Sequence, residues 1–347
     1  MPALRSDSAA TEASFQTGYQ VGDIARHIYD PHNRGVLIDV GREGFRNAFE
    51  RTTELLQCPN PIFEAGFSAG GAMAFADVML PAVVDGTPGW RMVEVKSSTS
   101  VKDYHRDDVA VQAFVARAAG VALNSIALAH IDSSWTYPGN GDYSGLLKEN
   151  DLSAEAFSRT EEVKAWIAEA QATAASTTEP AMETGPHCDT PFACCFYAHC
   201  SQNEPKAQHP VHWLPYFGTK ARELATKGVI ELTDVPDDLL NPRQLRVKTH
   251  TLADTVFFDA EGAAADLAMH GLPACFLDFE TIQFAVPIWA GTRPYQQNCF
   301  QFSLHTLSEL GQLGHTEFLD LSGGDPAESF AQALIASCGC SGPVYVY

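Results

Sequence analysis

Three short β-rich runs lie between residues 61 and 98, with one predicted amphipathic helix before them and another after them. This pattern restricts the possible folds of the chain more than any other feature of the sequence. The runs are PIFEAGF (61–67), AMAFADVML (72–80) and WRMVEVKSS (90–98). Ser-Ala-Gly-Gly and the turn-rich DGTPG connect them, which predicts hairpins. Apolar side chains at helical spacing predict helices over residues 44–57 and 107–119, and SIALAHI then predicts a buried strand. The order helix, three strands, helix and strand indicates a compact α/β unit.

Changes in pattern divide the whole chain into three predicted domains. Residues 1–205 begin with a predicted helix over 11–29 and hold the α/β unit and a polar segment with four cysteines. Residues 206–270 are predicted to form a mostly helical connector. From residue 271 a second β-rich pattern begins with ACFLDFETI and ends with GPVYVY. Because the chain ends inside this last predicted strand, we expect the sequence to be a fragment.

The composition of the chain disfavours one class of function and allows another. The chain has 43 acidic and 22 basic residues and a net charge of −21. A protein that coats nucleic acid by releasing counterions should be basic, so this role is disfavoured. An acidic enzyme that binds divalent cations is still allowed, because a metal inverts the local field. The first 20 residues lack the apolar core of a signal peptide, and Arg117 and Asn124 interrupt the most apolar stretch, so we predict a cytoplasmic protein without a membrane segment.

The first candidate site consists of charged side chains in the β-rich runs. Glu94 and Lys96 are two residues apart in MVEVKSS and therefore share one face of a strand, while Val93 and Val95 face the core. Asp77 lies in the preceding run. Carboxylates on two adjacent strands are the hard ligands that Mg²⁺ or Mn²⁺ prefers, and phosphodiester hydrolysis also needs a cation near the attacking water. The alternative is a surface ion pair between Glu94 and Lys96 on a half-exposed strand.

The segments IFEAGF, ADVML, EVKSST and DDVAVQAF resemble the RecB-like branch of the PD-(D/E)XK nucleases, including the CRISPR-associated RecB-like exonucleases. This resemblance implies a nuclease domain that hydrolyses DNA with Mg²⁺ or Mn²⁺. Asp77 and Glu94 would bind the metal, and the carbonyl group of Val95 would be a further ligand. Lys96 would orient or polarise the attacking water and offset charge on the phosphate.

Two further residues join this site through the same resemblance. Gln112 matches the start of the branch's Gln-x-x-x-Tyr motif, but residue 116 is alanine, so the tyrosine that contacts DNA is absent. Glu64 lies where the branch often has another acidic residue or a histidine. Both residues are therefore included among the predicted catalytic side chains.

A short basic and aromatic stretch could hold nucleic acid beside this site. Residues 90–106 carry four Lys or Arg residues against two acids. We expect phosphate contacts from three of them, Arg91, Lys102 and Arg106. Trp90 and Tyr104 could stack on bases, and core packing is the alternative for both rings.

The second candidate site is a cluster of cysteines. Four of the nine cysteines fall within HCDTPFACCFYAHC, namely Cys188, Cys194, Cys195 and Cys200. Without an export signal a disulfide framework is not expected, and dense cysteines indicate a metal site. Soft thiolates select zinc or an iron–sulfur cluster, and a zinc knuckle would take His187 or His199 as its fourth ligand. Unligated buried cysteines are the remaining alternative.

Several RecB-like nucleases hold a 4Fe–4S cluster with one cysteine ahead of the domain and three behind it. The resemblance assigns Cys188, Cys194 and Cys200 to the rear three. No cysteine precedes Cys58, so the fourth ligand would be Cys58, Cys195, an exogenous group or a cysteine in a missing N-terminal segment. The role of the cluster would be structural, because it closes a long loop.

The third candidate site is the pair Asp278 and Glu280 in ACFLDFETI. The two side chains share one strand face and could ligate a divalent metal together, or they could be an ordinary charged pair at a strand end. FLDFETI followed by AVPIWAGTRPYQQNCFQFSLH resembles the first part of a DnaQ-like 3′–5′ exonuclease, which has an RNase H-like fold. This resemblance implies metal binding by Asp278 and Glu280, with later acidic ligands beyond Tyr347. The domain is therefore predicted to be catalytically incomplete.

Together these features are similar to an uncharacterised bacterial family called domain of unknown function 2779, over nearly the whole chain with both ends cut away. The resemblance implies an α/β protein with a restriction-endonuclease-like (PD-(D/E)XK) domain, a helical connector and a partial RNase H-like domain. We expect a divalent-metal-dependent DNA exonuclease that acts at ends or single strands in DNA repair or defence. A non-catalytic nucleic-acid-binding or scaffold protein and a zinc-stapled regulatory protein are the alternatives.

Overall fold

The computed structural model describes residues 5, 9–84, 86–204, 206–268, 270–339 and 341–346. Tyr347, with which the last predicted strand ends, and Asp85 of the predicted DGTPG turn lie outside these residues. Contacts divide the chain into two compact units. The sheet unit comprises Ala9–Glu179 and Pro273–Tyr347, and the helical unit comprises Pro180–Leu272. The predicted division at residues 205 and 270 stays a prediction.

The first part of the sheet unit alternates helices with the strands of one sheet. Its elements are α1 (Ala9–Tyr29), β1 (Val36–Leu37), α2 (Val40–Glu43), α3 (Phe45–Leu55), β2 (Ile62–Ala69), β3 (Ala72–Val84), β4 (Thr87–Lys96), α4 (Asp103–Ala118), β5 (Leu123–Ile131), β6 (Leu147–Asp151), α5 (Ser153–Ser158) and α6 (Thr160–Ala175). The predicted helices and the four predicted strands of this part are confirmed. The sequence patterns missed the two-residue β1 and the polar β6.

The six strands pair in chain order, β1-β2-β3-β4-β5-β6. The pairs β1–β2 and β4–β5 are parallel and the other pairs are antiparallel, so the two predicted hairpins are present. On one face, α4 buries Val109, Ala113 and Ala116, which recur at helical spacing, in the same apolar cluster as Met92 of β4. This packing fixes α4 over the end of β4 that carries the charged residues.

The helical unit contains short helices around a small apolar core. Its α-helices are α7 (Tyr197–Cys200), α8 (Gly218–Ala225), α9 (Pro242–Leu252) and α10 (Ala260–Ala268), with 3-10 turns at Pro186–Cys188, Ser201–Asn203, Val211–Trp213, Leu232–Asp234 and Asp237–Leu239. The core consists of buried Val211, Leu214, Phe217, Leu224, Leu232 and Val235. Helix α9 starts where a capping box forms, because Asn241 and Gln244 bond each other's backbone N–H groups and Pro242 occupies the first turn. Residues 206–268, as far as the structure describes them, thus contain helices and 3-10 turns, and the helical connector stays a prediction.

The last part of the sheet unit forms a second sheet. Its elements are β7 (Ala274–Ile282), β8 (Asn298–Leu307), β9 (Leu313–Leu319), α11 (Ala327–Cys338) and β10 (Val344–Val346). The strand order is β10-β7-β8-β9, in which only the β10–β7 pair of the described strands is parallel. Helix α11 packs on one face, where Phe330 meets Phe302 and Phe318. The mixed α/β class is thus confirmed, and no helix in the described part of the chain is long and apolar enough to cross a membrane.

Candidate active site

The charged residues of the first site lie where β3 and β4 separate. The ladder between these strands ends at Val78 opposite Val93, whereas β4 continues beside β5 as far as Lys96. Beyond the last β3 partner, the backbone N–H of Val95 donates to Asp77 Oδ2 at 2.7 Å. A carboxylate of β3 is thereby held against the backbone of the segment that carries Glu94 and Lys96.

Glu94 and Lys96 share one face of β4, as predicted, and they bond each other. Glu94 Oε1 accepts from Lys96 Nζ at 2.6 Å, and Glu94 Oε2 accepts from Gln112 Nε2 of α4 at 2.7 Å. Lys96 Nζ also donates to Asp108 Oδ2 at 2.6 Å. The structure therefore brings Asp77, Glu94, Lys96 and Gln112 together.

Asp108 is a member of this group that the sequence reasoning missed. It lies one helical turn before Gln112, and its Oδ1 is 3.4 Å from Gln112 Nε2. The spacing of four residues in DDVAVQAF was the available signal, since side chains four apart face the same way on a helix.

Both faces of β4 are covered, which corrects the expectation that only Val93 and Val95 face apolar surroundings. These valines do contact an apolar cluster that includes Tyr29 of α1. The opposite face lies under α4, and Glu94 is only 4% exposed there. The alternative of a surface ion pair is therefore wrong for Glu94, because a charged group at this depth loses most of its hydration.

Burial and mutual repulsion shift the pKa values of the carboxyl groups upward. Burial and the nearby charge of Glu64 raise the pKa of Asp77 to about 7. Burial and the charge of Asp77 raise the pKa of Glu94 well above its usual range. Burial alone would lower the pKa of Lys96, but the Glu94 and Asp108 carboxylates outweigh it and raise that pKa. Lys96 therefore stays protonated, and its single positive charge is shared among several carboxyl groups.

Glu64 joins the site through an unusual backbone conformation. It lies inside β2 opposite Asp77, between the pairs Phe63–Val78 and Ala65–Ala76, and its φ is +56°. Burial raises the pKa of Glu64, the charge of Glu94 raises it further, and Arg26 opposes the shift. Residues other than glycine seldom adopt this left-handed backbone conformation, so the strand is strained where it presents a carboxylate to the site.

We expect Glu64→Asn to stabilise the protein more than Glu64→Gln. Both variants remove a carboxylate that repels Asp77 and Glu94, but asparagine also tolerates a positive φ, which costs other residues about 1–2 kcal/mol. The free energy of unfolding at pH 8 in EDTA should therefore be about 1 kcal/mol higher for the Asn variant than for the Gln variant. Urea denaturation measures the difference, and equal values would contradict backbone strain at this residue.

The site contains oxygen atoms of the kind that bind divalent cations. Gln112 Oε1 is buried and has no hydrogen-bond donor among the described residues. Flipping the amide would be unfavourable, because its oxygen would then face the carboxylates of Glu94 and Asp108, to which the nitrogen now donates. No three His, Cys, Asp or Glu side chains of the described chain are grouped as a metal site. Mg²⁺, however, typically takes one or two carboxylates with water and substrate phosphate, so Asp77, Glu94 and the Val95 carbonyl suffice in number.

The cysteine segment lies in the helical unit and does not form a ligand set among the described residues. Cys188 is buried and its sulfur accepts the backbone N–H of Gly185 at 3.5 Å. Cys194 is exposed, and Cys195 and Cys200 are partly buried. The iron–sulfur assignment therefore rests on the sequence alone.

The pair Asp278 and Glu280 lies on an exposed face of β7. Both side chains point away from the core that α11 covers, and they are in register with Ser303 and Gln301 of β8. The shared strand face is as predicted, but neither carboxyl group is buried. The pair thus differs from Glu94, which is buried.

The predicted phosphate-binding residues are mostly engaged within the protein. Arg91 is ion-paired with Glu149, and Arg106 with Glu155. Lys102 is exposed and directly precedes α4. Trp90 is 7% exposed in the main core, so its ring is not available for stacking. A phosphate would have to displace a carboxylate from either arginine.

A loop from the second sheet contacts the end of β4, and nothing in the sequence indicated it. The hydroxyl of Tyr295 donates to the carbonyl of Ser97, the residue after Lys96. Tyr295 has a φ of +57°, and its N–H donates to the Phe284 carbonyl at 2.7 Å, which closes the loop. The loop also packs Ala285 and Val286 in an apolar cluster with Ile131. The second sheet thus braces the strand end on which Lys96 lies.

These features define a mixed α/β protein with a buried, charged site at one end of its larger sheet. Residues 275–347 match the family described as domain of unknown function (DUF2779). The match covers the second sheet, a shorter part of the chain than the resemblance seen in the sequence. No curated protein and no solved structure matches the chain.

Proposed function

We propose that this protein is a divalent-metal-dependent nuclease that hydrolyses DNA phosphodiester bonds at the site of Asp77, Glu94 and Lys96. The observation that carries the proposal is the pair of carboxyl groups with raised pKa values, held around a protonated lysine at the end of two neighbouring strands. Burying such charges costs free energy, and perturbed groups of this kind are concentrated at functional sites.

The topology is compatible with the resemblances on which this proposal draws. Helix α3, the antiparallel strands β2, β3 and β4, helix α4 and the parallel strand β5 follow the order expected of a RecB-like nuclease. The second sheet, with β10 parallel to β7 beside two antiparallel strands, is compatible with a partial RNase H-like domain. We therefore assign catalysis to the larger sheet and an accessory role to the smaller one.

The side chains of the site have distinct tasks in this proposal. A divalent cation held by Asp77, Glu94 and the Val95 carbonyl would offset the charge of the scissile phosphate and lower the pKa of water. Lys96 keeps its proton and does not act as a base. Two of its three N–H groups donate to Glu94 and Asp108, and the third would orient a water or a phosphate oxygen. Gln112 holds Glu94 with its amide nitrogen, and its buried amide oxygen has no hydrogen-bond partner among the described residues.

The test is cleavage of end-labelled single-stranded and duplex DNA with Mg²⁺ or Mn²⁺. Wild-type protein should cleave DNA, EDTA should stop the reaction, and Glu94→Gln should lower the rate about 10²-fold or more, since a group that stabilises transition-state charge is worth that much. Glu161→Gln, which changes an exposed glutamate on α6, is the matched control and should cleave normally. Absence of metal-dependent cleavage by wild type would contradict the proposal.

One observation favours a second candidate, a non-catalytic protein that binds nucleic acid or serves as a scaffold. Both carboxylate oxygens of Glu94 already accept hydrogen bonds, from Lys96 and Gln112, so a cation must compete with them. In addition, Ala116 stands where the motif has its tyrosine, and it is buried in the core. This candidate predicts DNA binding that EDTA and Glu94→Gln leave unchanged, without cleavage.

We expect Tyr295→Phe to lower the turnover rate about five- to tenfold, because a hydrogen bond contributes about 1 kcal/mol and 1.4 kcal/mol is tenfold. The change removes only the hydroxyl that bonds Ser97 next to Lys96. DNA affinity should not change. Tyr143→Phe is the control, since it removes a similar hydrogen bond, from the Tyr143 hydroxyl to the carbonyl of Pro287 in the same loop, without touching β4. Equal effects of the two variants would show general loop packing instead.

The sequence further leads us to propose a structural 4Fe–4S cluster on Cys188, Cys194 and Cys200. Anaerobic purification followed by iron and acid-labile sulfide analysis should find about four of each per chain, the content of one such cluster. Cys188→Ser should lose them, whereas Cys299→Ser should not. Zinc without iron would contradict this and support a zinc-stapled protein.

A further inference from the structure

The helical unit presents an aromatic ring and three basic side chains around one open cavity. Tyr216 lies in the turn before α8 and is 92% exposed. The cavity beside it has a volume of about 580 Å³. Its lining includes Lys220 and Arg222 of α8 and Gln244 of α9, and Arg243 lies at its edge.

The turn holds Tyr216 in a backbone conformation that a bulky residue rarely adopts. Its φ is +54°. Gln244, which is buried, donates from Nε2 to the carbonyl of the preceding residue, Pro215, at 2.9 Å. Phe217, the next residue, is anchored in the apolar core. The chain on both sides is thus fixed while the ring between them is exposed, an arrangement that costs free energy and buries no apolar surface.

The three charges around the ring are not neutralised within the described part of the chain, although Lys220 Nζ donates to the carbonyl of Leu239 at 3.5 Å. The Arg243 guanidinium carbon lies 5.7 Å from the centre of the Tyr216 ring. Among the described residues, Lys220, Arg222 and Arg243 form no ion pair with a carboxylate, in contrast to Arg91 and Arg106. In a chain with 43 acidic and 22 basic residues, a basic cavity without acidic partners is complementary to a polyanion.

We propose that this cavity is a binding site for single-stranded DNA, in which a base stacks on Tyr216 and the flanking phosphates contact Lys220, Arg222 and Arg243. Aromatic rings bind bases of any type through their faces, and an arginine beside the ring adds a phosphate or cation–π contact. The cavity residues belong to the helical unit, whereas the proposed catalytic residues belong to the sheet unit. The inference rests on the proposed nuclease function for its choice of ligand.

The test is fluorescence anisotropy with fluorescein-labelled oligothymidylate and the whole chain in EDTA, which keeps cleavage out of the measurement. Tyr216→Ala should raise the dissociation constant about tenfold, within the range expected for one stacked base, and Tyr216→Phe should bind like wild type. Arg243→Gln should reduce the slope of log affinity against log salt by about 0.7, the value for one phosphate contact on a single strand.

Two matched controls and a second probe make the result specific. Tyr19→Ala removes a ring that is 67% exposed on α1, and Arg42→Gln removes an exposed arginine; both should bind normally. An oligonucleotide whose central nucleotides lack bases should bind wild type and Tyr216→Ala equally. Unchanged binding by Tyr216→Ala, an equal loss in Tyr19→Ala, or no binding by wild type would overturn the inference.

The two proposals fail separately. If Glu94→Gln abolishes cleavage while Tyr216→Ala binds DNA normally, the cavity proposal is wrong and the nuclease proposal stands. If binding depends on Tyr216 but wild type cleaves nothing with Mg²⁺ or Mn²⁺, the binding site stands and the nuclease proposal is wrong.

Discussion

Lys96→Met should lower the rate of metal-dependent DNA cleavage about 10²- to 10³-fold, the usual cost of removing a group that stabilises transition-state charge. At pH 8 the same variant should bind Mn²⁺ at least as tightly as wild type. The reason is that Lys96 donates to Glu94 and Asp108, and its loss frees both carboxylates for a cation. Single-turnover cleavage and Mn²⁺ titration calorimetry measure the two effects.

Loss of rate without loss of metal affinity distinguishes catalysis from support of the fold. If Lys96 only supported the fold around Glu94, its removal would lower the cleavage rate and the metal affinity together. Lys164→Met is the control, because Lys164 pairs with Glu161 on the exposed side of α6. Cleavage by Lys96→Met at the wild-type rate would contradict the assigned role.

The metal-free protein should lose stability as pH rises from 5 to 8. The pKa of Asp77 is raised to about 7 in the folded protein, so the folded state holds a proton that the unfolded chain releases near pH 4. The resulting stability is complete below pH 4 and is lost as pH rises through 7. At about 1.4 kcal/mol per pKa unit, the free energy of unfolding should fall by about 2–3 kcal/mol between pH 5 and pH 8. Urea denaturation in EDTA at several pH values measures it.

Asp77→Asn should flatten this pH dependence, since the amide oxygen still accepts from Val95 but cannot ionise. Asp142→Asn is the control: hydrogen bonds from Ser144 lower the pKa of Asp142, so its contribution changes only at lower pH. Millimolar Mg²⁺ should restore stability at pH 8 in wild type and not in Asp77→Asn. If the free energy of unfolding of wild type rose between pH 5 and 8 relative to that of Asp77→Asn, the assigned repulsion would be contradicted.

Sequence periodicity predicted those parts of the site that one strand or one helix determines. The two-residue spacing of Glu94 and Lys96 placed both on one strand face, and their hydrogen bond confirms it. Long amphipathic runs predicted the helices and the longer strands in the same way. Strand β6 was missed because LKEND is polar and mostly exposed at the sheet edge, where no apolar alternation is needed.

The sequence patterns could not predict contacts between segments that are far apart in the chain. Tyr295 reaches Ser97 across 198 residues, and only the packed fold brings them together. The left-handed conformation of Glu64 depends on its neighbours in the sheet, since a glutamate in an apolar run predicts an ordinary strand residue. The burial of Glu94 likewise depends on how α4 covers β4. Local sequence patterns do not predict such features, because they depend on tertiary packing.

The most direct measurement compares the two carboxylate pairs of the chain. Cleavage of end-labelled DNA with Mn²⁺ should be measured for wild type, for Asp77→Asn with Glu94→Gln, and for Asp278→Asn with Glu280→Gln. The account predicts that the first double variant loses cleavage, while the second retains it because its exposed pair on β7 is accessory. Loss of cleavage in the second variant with full activity in the first would place the chemistry in the smaller sheet and contradict the account.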